Sequence, residues 1–107
     1  MIILDMWACC DICTIPYGPN QSSSVANEIA IVLNVIKSSN LTHQLHGHGT
    51  NFEGPIDKVL NTIELIHKTL HENGVTRITS DIRISTRTDK QTSNKSKIEA
   101  VENILNK

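Results

Sequence analysis

The sequence predicts an α+β domain, in which a four-stranded antiparallel sheet carries two helices on one face and an extra helix follows at the C-terminus. Segments in which apolar and polar residues alternate are interleaved with segments whose apolar residues recur every three or four positions. Glycine, proline, serine and asparagine separate these segments. The predicted order is strand, helix, strand, strand, helix, strand, helix, and its first six elements follow the ferredoxin-like βαββαβ plan.

The first strand extends from about Trp7 to Ile15, and the two prolines and the glycine of residues 16–19 are expected to end it. A serine run follows, and each of its members is a candidate N-cap for the first helix: Ser22, Ser23 and Ser24. The apolar residues of this helix lie at helical spacing: Val25, Ile29, Val32, Leu33 and Ile36. Residues 38–40 end it.

The polar segment His43–Pro55 predicts a hairpin, because two short strands flank a turn or bulge at Gly47–Gly49. The second of these strands spans Thr50–Glu53. Pro55 then opens a second amphipathic helix, since proline is tolerated in the first turn.

The second helix ends at Gly74, which favours a left-handed cap. Residues Val75–Thr86 alternate as a strand with a charged face and an apolar face. The last helix has a narrow apolar edge: Ile98, Val101, Ile104 and Leu105.

Composition limits the possible functions. A chain of 107 residues predicts one domain, residues 1–107. Its net charge of -1 and its three aromatic residues disfavour nucleic acid as a partner. The apolar first eight residues are too short to span a bilayer and lack preceding basic residues, so no membrane association is expected. Three cysteines crowded into one segment indicate no disulfide framework, which favours a reducing, cytosolic location.

Strand alternation predicts that titratable side chains collect on the sheet face that the helices leave open. Each strand contributes one pair to this face: Asp11 and Cys13, Gln44 and His46, Asn51 and Glu53, Asp81 and Arg83. A polar face of this kind can be a solvated surface, a ligand site or a subunit interface. The mixture of carboxylates, imidazole and guanidinium favours a ligand site or an interface.

Four segments together resemble a known family: residues 11–18 with the serine run, 45–54, 79–84 and 87–90. The chain is similar over nearly its whole length to the small thiamine-binding family, also called the UPF0045 or YkoF-like group. It departs from the usual pattern at Cys9-Cys10, His48 and Thr86-Arg87. The resemblance implies a ferredoxin-like fold, dimers or tetramers formed through the sheets, and binding of thiamine or its hydroxymethylpyrimidine half, without catalysis.

The candidate ligand-binding residues are therefore side chains assigned to the polar face, Thr50 among them, and the serine run beside it: Asp11, Ser22, Ser23, Ser24, His46, Thr50, Glu53, Asp81 and Arg83. A carboxylate can pair with the thiazolium cation or with the aminopyrimidine through a charge-assisted hydrogen bond of roughly 1.5–3 kcal/mol. The alternative for Asp81 and Arg83 is cross-strand pairing worth roughly 0.2–1 kcal/mol. The serines can instead only cap the helix.

Other functions remain open at this point. The polar face can be a self-association surface of a structural or regulatory module, or the domain can be a hydrolase of small phosphorylated substrates. Zinc ligation is the alternative for three residue pairs: His46 with His48, Cys9 with Cys13, and His67 with His71. No matching pair of metal-ligand motifs is present, so we expect no metal and no cofactor, and His67 is expected to be a core histidine.

Overall fold

The structure is a computed structural model, and it describes residues 6–18, 25–91 and 93–107. Its elements are β1 (Trp7–Tyr17), α1 (Ala26–Ser38), β2 (Thr42–His46), β3 (Gly49–Pro55), α2 (Ile56–Glu72), β4 (Arg77–Thr86) and α3 (Asn94–Leu105). The strands form an antiparallel sheet in the order β2-β3-β1-β4. The predicted element order and the α+β fold class, with a ferredoxin-like plan and an added C-terminal helix, are confirmed.

The strand register divides the sheet into two faces. Asp11 lies between Asn51 of β3 and Arg83 of β4, whereas Ile12 lies between Thr50 and Ile82. Side chains on the same face of neighbouring strands therefore align in rows across the sheet. We call the face with Asp11 the polar face and the face with Ile12 the helical face, because α1 and α2 pack on the latter.

The hydrophobic core lies between the helical face and the two helices. The largest fully buried side chains all belong to it: Phe52, Ile12, Ile36, Ile66, Leu70 and Val59. Removing each from water stabilises the fold by roughly 1.5–3 kcal/mol. In α1, Val32 and Ile36 of the predicted apolar stripe are buried together with Val35, whereas Ile29 is 39% exposed. α2 buries one apolar stripe in this layer.

β1 extends further than predicted, because Pro16 does not end it. Pro16 pairs with Ile78 and Tyr17 pairs with Arg77 in the ladder with β4. Pairing of β1 with β3 stops at Ile12, so from there on β1 has a neighbour on one side alone. Proline is tolerated at such an edge because its missing N–H need not serve a second strand.

The helix ends differ from the predictions in one case and match them in another. α1 begins at Ala26 and its N-cap position is Val25, whose side chain makes no capping hydrogen bond. The predicted N-caps Ser22, Ser23 and Ser24 lie outside the described residues. After α2, Gly74 adopts φ of 90°, so the predicted left-handed cap is confirmed.

His67 joins α2 to β4 through a polar network. Its Nε2 lies 2.8 Å from the Ser80 hydroxyl, which lies 3.1 Å from the hydroxyl of Thr14. His71, one turn later, donates from Nδ1 to the Val75 carbonyl at 2.8 Å. Burial, followed by the proximity of His71, lowers the pKa of His67, so the folded state favours its neutral form.

The hairpin glycines provide a matched pair of substitutions. A Cβ at position 49 would lie 2.4 Å from the Ile12 carbonyl oxygen, whereas a Cβ at position 47 meets no atom within 4 Å. Gly49→Ala is expected to lower the free energy of unfolding by about 1–3 kcal/mol, because the backbone of β1 must move. Gly47→Ala should change it by less than about 0.5 kcal/mol. Urea denaturation measures both, and equal effects would contradict this register.

The lowered pKa of His67 predicts a pH-dependent stability. Below the unfolded-state pKa of about 6.5 the unfolded chain binds a proton that the folded chain resists, so stability falls as the pH drops from 7.5 towards 5. In His67→Gln this contribution should disappear and the decline should be shallower. His48→Gln, at the hairpin tip, is the control and should keep the wild-type decline. Thermal unfolding across this pH range tests the difference.

Candidate functional site

Four of the predicted site residues lie on the polar face: Asp11, His46, Asp81 and Arg83. Asp11 and His46 are in contact, with 2.6 Å between Oδ1 and Nε2. The His48 backbone N–H donates to Nδ1 of His46 at 3.2 Å, so the ring proton resides on Nε2 and is donated to Asp11. The structure thus joins a carboxylate and an imidazole from two strands that are separated by β3.

The β4 pair lies at the opposite edge of the sheet from His46. Arg83 stands directly opposite Asp11 in the register, and Asp81 stands opposite Cys13. Among the described residues, the side chains of Arg83 and Asp81 form no hydrogen bond or ion pair. The polar face therefore places these side chains side by side without pairing them within one chain.

Glu53 also lies on the polar face, but it is buried, with 5% of its surface exposed. Its Oε2 accepts the backbone N–H of Asn94 at 2.7 Å and the thiol of Cys9 at 3.6 Å. Asn94 is the first residue of α3, where backbone N–H groups lack partners within the helix. A carboxylate is favoured there because it meets the positive end of the helix dipole.

α3 begins on the polar face and covers one part of it. Its first turn is closed by a capping box, in which Ser93 and Ser96 exchange hydrogen bonds of 2.9 and 3.0 Å. The expectation that the polar face is wholly open is therefore wrong at Glu53. The direction of the helix after residue 93 depends on the contact of Asn94 with Glu53, which strand and helix periodicity do not predict.

A cavity of about 430 Å³ lies between α3 and the adjoining strands β2 and β3. It is lined by residues of both strands and of the first three turns of α3: Thr42, His43, Gln44, Asn51, Glu53, Asn94, Lys95, Ile98, Glu99 and Glu102. Glu53 is the only predicted site residue within the described part of the chain that belongs to this lining. Sequence reasoning missed the α3 residues, although Glu99 and Glu102 lie one turn apart on the helix.

The cavity is rich in negative charge and carries hydrogen-bonding amides. Glu53, Glu99 and Glu102 supply three carboxylates against the one ammonium of Lys95, which lies 3.8 Å from Glu99. The Gln44 and Asn51 amides can each donate and accept hydrogen bonds. Ile98 adds an apolar surface. Chemically, the site suits a cation that also carries a flat, hydrogen-bonding ring.

Thr50 does not belong to the polar face, and its assignment there was wrong. It lies opposite Ile12, points towards the helices and is 3% exposed. Thr50 and Glu53 are three positions apart, an odd interval, and strand side chains alternate, so the two cannot share a face. The candidate N-caps of the serine run lie outside the part of the chain that the structure describes.

The cysteines are free and mostly buried. Burial, with a contribution from Asp11, raises the pKa of Cys10 to about 12. The pKa of Cys9 is also raised, mainly by burial and further by Glu53, while Lys97 opposes the shift. Both are therefore poor nucleophiles at neutral pH. In residues 6–18, 25–91 and 93–107, no three His, Cys, Asp or Glu side chains come together as metal ligands.

No helix in the described part of the chain combines the length and the apolar character that spanning a bilayer requires.

Sequence comparison relates the chain to one family. The family described as thiamine-binding protein matches residues 10–102. The UPF0045 protein ECM15 of Eremothecium gossypii is 39% identical over 95 residues, which cover 89% of this chain and 90% of the relative. The UPF0045 protein sll0230 of Synechocystis is 36% identical over 95 residues, covering 89% of this chain and 77% of the relative.

Solved structures share the fold. A hypothetical protein of Methanocaldococcus jannaschii superposes with a TM-score of 0.81 at 27% identity, covering 90% of this chain and 96% of that one. A protein of Thermotoga maritima, described in terms of thiamine biosynthesis or salvage, gives a TM-score of 0.75 at 13% identity, covering 89% and 98%. At that identity the second likeness concerns the fold alone. The family match spans most of the sequence, and the chain belongs to the thiamine-binding protein family.

Proposed function

We propose that this protein is a non-catalytic, cytosolic binding protein for thiamine or its hydroxymethylpyrimidine half, and that it acts as a homo-oligomer. The observation that carries the proposal is the cavity between α3 and the polar face, in which three carboxylates face one ammonium group. Membership of the thiamine-binding protein family supports the choice of ligand.

The chemistry of thiamine matches the lining of the cavity. Its thiazolium ring is a permanent cation, which Glu102 and Glu53 can attract, and its aminopyrimidine can exchange hydrogen bonds with Gln44 and Asn51. Ile98 provides contact for a ring face. The volume of about 430 Å³ falls within the range of roughly 300–1,000 Å³ that is typical of small-molecule sites.

The arrangement of reactive groups favours binding over catalysis. His46 is held by Asp11 and by the His48 amide, and no hydroxyl or thiol of the described residues contacts its ring. The Cys9 thiol donates a hydrogen bond to the Glu53 carboxylate, and the raised pKa of Cys9 disfavours the thiolate. The groups at the polar face therefore serve as hydrogen-bond donors and acceptors in the proposal, not as a nucleophile and base.

The apolar edge of α3 supports self-association. Its four large apolar side chains are exposed in the single chain: Ile98, Val101, Ile104 and Leu105. α3 contributes no buried residue of its own. A helix with an uncovered apolar edge gains stability when a second copy removes that edge from water.

Calorimetric titration tests the ligand. We expect thiamine to bind the wild-type protein, and Glu102→Gln to weaken binding by about tenfold, because a cation loses one facing carboxylate. Among the described residues, the Glu102 side chain forms no hydrogen bond or ion pair, so this variant separates binding from stability. Glu28→Gln, on α1, is the control and should bind as wild type does.

Titration with hydroxymethylpyrimidine defines which half of the ligand is recognised. Equal affinity for the two ligands would place recognition on the pyrimidine, and preference for thiamine with a strong salt dependence would place it on the thiazolium. The absence of heat at millimolar concentrations of both ligands would contradict the proposal.

A second candidate is a structural or regulatory oligomer that binds no small molecule. The exposed apolar edge of α3 favours it independently of the cavity. It predicts assembly in solution together with silent titrations, so the same calorimetry distinguishes it from a thiamine-binding protein.

A further inference from the structure

The outer edge of β4 is long and unpaired. β4 has ten residues and pairs along its length with β1, while its other side meets no strand in the described chain. The opposite edge of the sheet, β2, has five residues. Long exposed edges are templates for pairing with another chain, which proteins usually block with prolines, bulges or short strands. β4 has none of these protections.

Exposed apolar side chains accompany this edge on the helical face. Ile82 and Ile84 are 41% and 39% exposed, although they face the same side as the core residues Ile12 and Cys10. They were expected to be covered by the helices. α1 and α2 instead pack mainly over the other strands and reach β4 near Ile78 and Ser80, so the helical face stays exposed at Ile82 and Ile84.

We propose that a second copy of this chain pairs with β4 in an antiparallel ladder, with the two-fold axis at Ile82, so that two four-stranded sheets become one of eight strands. This inference rests on the self-association in the proposed function and specifies its interface. The charge pattern of β4 supports this register, because Asp81 and Arg83, the neighbours of Ile82 along the strand, both lie on the polar face.

The two faces of the sheet restrict the possible registers. If the helices of both copies lie on the same side, a residue of β4 must oppose a residue of the same face, so the axis must pass through a residue and not between two. An axis at Ile82 places Asp81 opposite the partner's Arg83, and this attraction occurs twice. Opposite charges that face each other across strands stabilise the pairing.

The registers with the axis at Ser80, Asp81 or Arg83 are disfavoured by the same charges. An axis at Asp81 places this carboxylate opposite its own copy, and an axis at Arg83 places two guanidinium groups together. An axis at Ser80 brings Arg77 opposite the partner's Arg83. With the axis at Ile82, the ladder spans residues 78–86 of both strands.

The terminal arginines are compatible with this register. At each end of the ladder, Arg77 of one chain would lie near the partner's Arg87. Arg77 already stacks over the Tyr17 ring at 5.5 Å, and Arg87 is ion-paired with Asp89. Each charge thus has a partner within its own chain.

The interface would also extend the polar face. Arg83 lies opposite Asp11 within its own sheet and would gain the partner's Asp81 on its other side. Its guanidinium would then stand between two carboxylates. On the helical face, Ile82 would contact the partner's Ile82 and leave water.

Disulfide trapping tests the register. Opposed residues in an antiparallel ladder have Cα atoms roughly 4.5–5.5 Å apart, within the range that a disulfide spans. Ile82→Cys is therefore expected to form a covalent dimer on treatment with diamide. Ile84→Cys is the matched control, since its exposure is similar but its copy would lie about 13 Å away along the ladder. Non-reducing electrophoresis should show at least tenfold faster cross-linking of Ile82→Cys than of Ile84→Cys and of the wild type.

Charge exchange tests the paired side chains. Asp81→Arg and Arg83→Asp should each raise the dimer dissociation constant at least tenfold in analytical ultracentrifugation, and the double variant should return to within about threefold of wild type. Glu72→Arg, at the end of α2, controls for a charge reversal elsewhere. Circular dichroism establishes that each variant is folded.

The outcomes separate this interface from the proposed function. A monomeric wild-type protein overturns both the interface and self-association, whereas thiamine binding is decided by calorimetry alone. An assembled wild-type protein with no Ile82→Cys cross-link, or with faster cross-linking of Ile84→Cys, overturns the β4 register and leaves self-association standing. Failure of the double variant to recover assembly overturns the pairing of Asp81 with Arg83.

Discussion

The hydrogen bond from the Asn94 amide to the Glu53 carboxylate determines the shape of the polar face. It holds the first turn of α3 against the sheet, with 2.7 Å between the Asn94 nitrogen and Oε2 of Glu53, and the cavity lies between this helix and strands β2 and β3. Burial of Glu53 makes this contact costly to break, because an ionised carboxylate without donors is unfavourable away from water. The cavity and its charge therefore depend on one buried side chain.

The two faces of the sheet have different physical roles. The helical face buries the apolar side chains of β1 and β3 beneath α1 and α2, which supplies the stability of the fold. The polar face carries groups that a folded core does not need, and α3 adds its own carboxylates to them. A single chain nevertheless leaves apolar surface exposed on α3 and beside β4. In the proposal, self-association covers this surface, and α3 also lines the ligand cavity, so this helix connects binding with assembly.

The sequence predicted those features that depend on local periodicity. The order of elements follows from alternating and helical spacing, and the joint placement of Asp11, His46 and Arg83 follows from strand alternation. The prediction for Thr50 failed against that same alternation. The contact of Asn94 with Glu53 was beyond reach, because it joins residues 41 positions apart through a loop whose path local spacing does not determine. The cavity residues of α3 were missed for this reason.

Amide hydrogen exchange tests the central claim, that Glu53 holds α3 on the polar face. In Glu53→Ala, the amide of Asn94 and its neighbours in the first turn of α3 should exchange about 10 to 100 times faster, since a hydrogen bond to a charged group contributes roughly 1.5–3 kcal/mol. The amides of Cys10 and Phe52 in the core should keep more of their protection. Glu64→Ala, which removes a surface pair with Lys68, should leave α3 unchanged. Unaltered exchange in α3 of Glu53→Ala would contradict the account.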